Sequence, residues 1–160
     1  MQASVVDDRG MQGEYVHFLK AHRERLPPLS LDVHTSWRSF TASLSVQMPD
    51  LVLLDMRFDD GPVDQLAGDV EALTRSARFG GDRARAEAQI RGLQGVFILQ
   101  ALRDEVSLRV PVILFGTLPK VQSDRLLERY GPVRILDGLL FEGVREALAW
   151  AERLVTQGQP

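Results

Sequence analysis

The chain has 160 residues, 44% of them hydrophobic and 26% charged, with a net charge of -3. This is the make-up of a soluble globular domain long enough to bury a core, and its charge provides no general attraction to nucleic acid or an anionic membrane. The absence of cysteine excludes disulfides, thiolate metal sites and cysteine nucleophiles. No basic N-terminal segment leads into a long apolar stretch, and no window approaches the ~18 apolar residues of a membrane span. A cytoplasmic protein, one domain over 1–160, is expected.

The apolar runs alternate with helical patterns. Ala3–Val6 reads as a first strand, followed by a helix over Met11–Arg25 with Tyr15, Phe18 and Leu19 at helical spacing, stopped by Pro27-Pro28. Leu29–His34 alternates as a second strand, and Thr35 or Ser36 can cap a helix running to Val46. Pro49-Asp50 turns the chain into Leu51–Asp55, a run short and apolar enough to be a strand buried on both faces. Val110–Phe115 and Val133–Leu136 supply two more strands, separated by a helix over Asp124–Tyr130. Phe141–Val155 closes the chain as an amphipathic helix with Val144, Leu148 and Leu154 as core contacts, and Trp37 and Trp150 are core or rim residues. Strands alternating with helices predict right-handed crossovers and a five-stranded parallel sheet of the flavodoxin-like doubly wound kind.

One interval is too long for a simple crossover. Between Asp55 and Val110, Val96–Arg103 is the best crossover helix, which leaves residues 59–92 as an insertion. Val63–Arg78 suits a helix with Leu66, Val70 and Leu73 on one face, and Gly80-Gly81 breaks it. Arg83–Arg91 is rich in helix formers and can run on into the crossover helix across Gly92 and Gly95. With Phe79, the stripe Leu66, Val70, Leu73 suggests a helical hairpin presenting a protein-binding face. Its arginines are interleaved with Glu71, Asp82 and Glu87, so nucleic-acid binding is not expected.

Two strands end in carboxylates, Val5-Val6-Asp7-Asp8 and Leu51-Val52-Leu53-Leu54-Asp55. In open α/β sheets the binding crevice lies outside the carboxyl ends of the strands. If these strands are neighbours, Asp7, Asp8 and Asp55 form an acidic pocket whose expected guest is a hard cation such as Mg2+. His17, His22 and His34 have no metal-ligand spacing, and Asp59, Asp60 and Asp64 read as a solvated loop near the pocket.

The acid pair after strand one, Pro49-Asp50-Leu51-Val52-Leu53-Leu54-Asp55, Pro111-Val112-Ile113-Leu114-Phe115 and the helix Gly95–Arg103 together resemble response-regulator receiver domains of two-component signalling. The resemblance covers nearly the whole chain except the insertion. It implies that Asp55 is the phosphoacceptor, that Asp7, Asp8 and Asp55 hold Mg2+, and that the backbone carbonyl of Arg57 is a further ligand. It also implies a histidine kinase or phosphotransfer protein as donor and a downstream protein target, and it admits a homodimer.

The chain departs from that pattern at two places. The expected hydroxyl after strand four falls on Gly116, with Thr117 one residue beyond as the remaining candidate. The expected lysine after strand five falls on Gly138, or on Asp137 if the alignment slides by one, and the aromatic position falls on Ile135. Against 17 arginines the chain has only Lys20 and Lys120, one in the first helix and one after strand four. Losing one charge-assisted contact to a phosphoryl group costs on the order of 1.5–3 kcal/mol. Asp55 is therefore open to three uses: phosphoacceptor, metal ligand only, or vestige. The corresponding functions are a stand-alone atypical receiver acting through protein contacts, or a pseudo-receiver module that works without phosphorylation. An aspartate-nucleophile phosphatase is disfavoured, because Arg57 stands where such enzymes carry a second acid.

Overall fold

A computed structural model of the chain describes residues 1–158. Five strands, β1 (Gln2–Val6), β2 (Ser30–His34), β3 (Leu51–Asp55), β4 (Val112–Phe115) and β5 (Val133–Leu136), form one sheet in the order β2-β1-β3-β4-β5. Every pairing is parallel. The expected flavodoxin-like doubly wound sheet is therefore the observed one, with the strand order in which the switch point falls between β1 and β3.

Side chains of the three central strands divide between two cores with the period of two that a strand imposes. Val6, Val52, Leu54, Val112 and Leu114 face one core, which also receives Phe40 from α2 (Trp37–Leu44), Ile98, Leu99 and Leu102 from α5 (Gln94–Asp104), and Leu126 from α6 (Lys120–Tyr130). Ala3, Val5, Leu51, Leu53, Ile113 and Phe115 face the other, covered by α1 (Glu14–Ala21) and α7 (Phe141–Thr156). The edge strand β2 keeps Ser30 and Asp32 exposed while Leu31 and Val33 pack inward. Val144 and Leu148 are fully buried as expected, but Leu154 is only half-buried. A 16-residue helix is about 24 Å long against about 16 Å for a five-residue strand, so the last turns of α7 overshoot the sheet.

Several helix boundaries differ from the sequence reading: α6 begins at Lys120, directly after Pro119, rather than at Asp124, and α2 stops at Leu44 rather than Val46. The first helix is shorter than Met11–Arg25: a 3-10 turn over Gly10–Gln12 precedes α1, which stops at Ala21. Leu26 precedes a proline and is held out of helical geometry, and it folds back into the core. The helix foreseen over Val63–Arg78 is interrupted, because the chain is extended at Leu66 (φ -79, ψ 152). Asp69 then caps a new helix, α3 (Val70–Arg75), by accepting from the Ala72 amide at 2.8 Å. The foreseen run across Gly92 and Gly95 bends at Leu93, dividing α4 (Arg83–Gly92) from α5. The bend brings α5 against the end of β3, where a Cβ on Gly95 would lie 2.5 Å from the Asp55 carbonyl oxygen. Ser36 is the cap of α2, in a reciprocal capping box with Ser39.

The 59–92 segment corrects a further expectation. Leu66, Val70 and Phe79 are buried, together with Ala86 and Ile90 of α4, in the same core as Val52 and Leu54. The stripe that suggested a free binding face is thus covered by the protein itself. The segment also closes at its base, where the Phe58 amide donates to the Arg91 carbonyl at 2.9 Å and the Gly95 amide to the Met56 carbonyl at 3.1 Å. The Arg91 guanidinium donates to the carbonyls of Asp60 and Gly61 and to Glu87.

At the opposite edge of the sheet Arg103 is 2% exposed. It donates to the carbonyls of Tyr130 (2.9 Å), Val110 (2.9 Å), Pro132 (3.3 Å) and Leu108, joining the ends of α5 and α6 to the starts of β4 and β5. Burial holds its pKa down, at about 10, so it stays charged at neutral pH. A buried guanidinium without a carboxylate is tolerable only because these carbonyls replace water. Arg103→Leu leaves them without their donor and is expected to cost on the order of 3 kcal/mol or more. Urea unfolding measures this, and an unchanged midpoint would contradict the clamp.

Candidate acidic site at the strand ends

Parallel pairing of Val6 with Leu54 puts the next residue of each strand, Asp7 and Asp55, side by side at the carboxyl edge of the sheet. One oxygen from each of Asp7, Asp8 and Asp55 lies within 4.8 Å of the others, as the sequence reading requires. Asp7 is buried at 2% exposure, and Asp8 and Asp55 are half-buried. Close packing at Asp7 explains Gly13 at the start of α1: a Cβ there would fall 2.0 Å from Asp7 Oδ2.

Each carboxylate is held by neutral donors. Asp7 Oδ1 accepts from the Arg9 amide at 2.9 Å, and Asp8 Oδ2 accepts from the Asp60 amide at 2.7 Å. Asp55 Oδ1 accepts from the Tyr15 hydroxyl at 3.2 Å and the Arg57 amide at 3.4 Å. Among the described residues none of the three is in an ion pair. Burial, and then the charge of Asp7, push the Asp55 carboxyl up to about 7, against the opposing hydrogen bonds from Arg57 and Tyr15. Burial and the charge of Asp8 also raise Asp7, while the Arg9 amide opposes them. Burial and the neighbouring Asp55 hold the Tyr15 phenol well above its usual range, so it remains a donor. A cluster of oxygen donors that lacks a counter-charge and resists ionising fits a hard divalent cation.

The other candidates lie outside the cluster. Thr117 is exposed, and its hydroxyl donates to Asp137 Oδ1 at 2.6 Å, linking the loops after β4 and β5. No side chain fits at Gly116, where φ is +148 and a Cβ would lie 2.4 Å from Met56 Cβ. Ile135 packs partly into the core, and Gly138 has nothing within 4 Å of where a Cβ would be. Lys120 pairs with Asp124 at 2.8 Å, and Lys20 lies 4.0 Å from Met11 Sδ. The Arg57 side chain is engaged by Asp59 at 2.7 Å, and Asp64 lies near Arg38. Asp60 reaches the site through its amide rather than its carboxylate.

Tyr15 is the residue that sequence reasoning missed, having taken it only as part of an apolar helical pattern. Its ring stacks on Phe115, centroids 4.4 Å apart, and that contact aims the hydroxyl at Asp55. The available signal was position: the first turn of a helix following β1 begins at the same sheet edge as the acids, so a polar-tipped aromatic there can face them.

The electrostatics set a pH dependence. Folded Asp55 keeps its proton up to about 7, against a usual value of 3.8. Between those values the folded state binds more protons than the unfolded state, so Asp55 lowers stability as pH rises through this window. Asn mimics the protonated acid and has no such dependence. Asp55→Asn should therefore raise Tm at pH 8 in metal-free buffer, with the gain fading as pH falls and vanishing below about 4. A gain that is independent of pH would contradict the raised carboxyl.

No family model matches the chain, and no curated protein matches it. Solved structures do. The receiver domain of the Francisella response regulator 1452 is similar at a TM-score of 0.57, with 11% identity over 98% of each chain. RcsB from Salmonella enterica serovar Typhimurium, solved bound to promoter rprA with the phosphomimetic BeF3-, is similar at a TM-score of 0.55. There the identity is 14%, covering 95% of this chain and 98% of that one. The fold of this chain is that of response-regulator receiver domains.

Proposed function

We propose that the chain is an atypical receiver-type signalling module that accepts a phosphoryl group on Asp55 and acts through protein contacts. The observation that supports this most directly is the set of three un-neutralised carboxylates at the carboxyl edge of a receiver fold, Asp55 among them. Asp7, Asp8 and Asp55 would hold Mg2+, with the Arg57 carbonyl as a further ligand. The ion, when bound, supplies positive charge for the carboxylates and for the phosphoryl oxygens.

The chain's own part is to present Asp55. An Asp55 oxygen forms the bond to phosphorus, the bond from phosphorus to the donor atom (oxygen in an acyl phosphate, nitrogen in a phosphohistidine) breaks, and that electron pair leaves with the donor. An acyl phosphate is the simplest donor for a test; a histidine kinase or phosphotransfer protein is the corresponding partner. What the chain lacks is a basic side chain after β5, where Gly138 or Asp137 stands. Retention of the phosphoryl group is weaker by the order of 1.5–3 kcal/mol that one charge-assisted contact supplies.

The second reading, a pseudo-receiver whose contacts do not depend on phosphorylation, is favoured by the Thr117 hydroxyl being engaged by Asp137, so that the remaining hydroxyl candidate is paired with a carboxylate. Incubation with acetyl phosphate and Mg2+, followed by intact-mass measurement, separates the two. The phosphoacceptor reading expects a short-lived adduct that requires Mg2+ and is absent in Asp55→Asn. No adduct at saturating donor would favour the pseudo-receiver. Aryl phosphate turnover abolished in Asp55→Asn would instead revive a phosphatase, although the Arg57 guanidinium engages Asp59 and no acid stands at that position.

Mg2+ alone should raise Tm at pH 8 by relieving repulsion among the three acids, and much less so in Asp55→Asn. An equal rise in both proteins would place the ion elsewhere.

A further inference from the structure

We propose that the hydroxyl of Tyr15 is a gate on Asp55, occupying the oxygen that must be released before a cation and a phosphoryl group can be held together. The proposal rests on the phosphoacceptor reading above and adds the regulation of that site.

A carboxylate has about four lone-pair positions, two on each oxygen. On Asp55 both hydrogen bonds fall on Oδ1, one from the Arg57 amide at 3.4 Å and one from the Tyr15 hydroxyl at 3.2 Å. Among the described residues Oδ2 accepts none, so it is the oxygen open to phosphorus. A carboxylate that bonds phosphorus through one oxygen must offer the other to the cation, and here that other oxygen already has both positions filled. The Arg57 donor is a main-chain amide two residues from Asp55 and moves only with the backbone. The Tyr15 donor is a rotatable hydroxyl at the tip of a side chain, and it is the one that can yield.

The ring behind that hydroxyl is not free. It stacks on Phe115 at an interplanar angle of 24° and belongs to the core formed with α1 and α7. Release of the hydroxyl is therefore felt on the α1 side of the sheet. On the β4–β5 side Gly116 offers no side chain, Ile135 has no hydroxyl or aromatic ring, and Thr117 is occupied by Asp137. Tyr15 is the group that touches Asp55 and also reaches into a packed helix, so it is where a change at Asp55 is passed on.

Beryllofluoride, which adds to a carboxylate oxygen as a phosphoryl mimic, tests this on the full chain in Mg2+. In Tyr15→Phe the ring and its stacking remain and only the hydroxyl is lost. Adduct formation, followed by 19F NMR, should half-saturate at roughly five- to tenfold lower beryllofluoride than in the unaltered protein, the factor that one ordinary hydrogen bond corresponds to. The unaltered protein provides a second measurement, because its two tyrosines give two lines when labelled with 13C at Cζ. The Tyr15 line should shift on adduct formation and the Tyr130 line should not, since Tyr130 is bonded to Asp104 instead. An adduct that forms with equal or weaker affinity in Tyr15→Phe, or that leaves the Tyr15 line unmoved, overturns the gate and leaves the phosphoacceptor reading standing. No adduct in either protein, with spectra matching Asp55→Asn, overturns both.

Discussion

The register of two parallel strands is the constraint on which the site depends. Pairing Val6 with Leu54 gives neither Asp7 nor Asp55 a choice of neighbour. Both strands are buried on both faces, so a shift of register would turn whole rows of core side chains the wrong way. The hydrophobic energy of the sheet thereby holds like charges together, at a cost that appears as the raised Asp55 carboxyl. Sites of this kind hold free energy that a cation or a proton can release.

The rest of the molecule supports that arrangement from the sides. Gly13 and Gly95 let α1 and α5 begin against the acids without a side chain in the way. The base of the 59–92 segment is linked to the same edge, because the Asp60 amide that holds Asp8 belongs to a loop whose carbonyls are held by Arg91. The segment therefore serves the core and the site's rim together. Arg103 works at the far edge, tying the chain before β4 and β5 so that the strands arrive in line.

Short apolar or alternating runs made the five strands readable from the residues, and the carboxylates that end two of those runs did the same for Asp7, Asp8 and Asp55. The missing lysine and displaced hydroxyl were readable too, because they are matters of residue identity. What depended on three-dimensional covering was not. The stripe Leu66, Val70, Phe79 showed that a face was apolar but not that the protein would cover it with its own core. Tyr15 carries both an apolar ring and a donor, and periodicity reports only the ring. The pairing of Thr117 with Asp137 joins loops from different strands, so no local pattern announces it. Gly116 looked like a lost hydroxyl, and the steric reason, contact with Met56, needed the fold.

Asp7, Asp8 and Asp55 form one cluster of like charges that could hold a cation. A pH titration of the Asp55 side-chain carboxyl by 13C NMR, with and without Mg2+, tests it most directly. The expected midpoint is near 7 in metal-free buffer, moving well down when Mg2+ is added. A midpoint in the ordinary carboxylate range that Mg2+ does not move would contradict it.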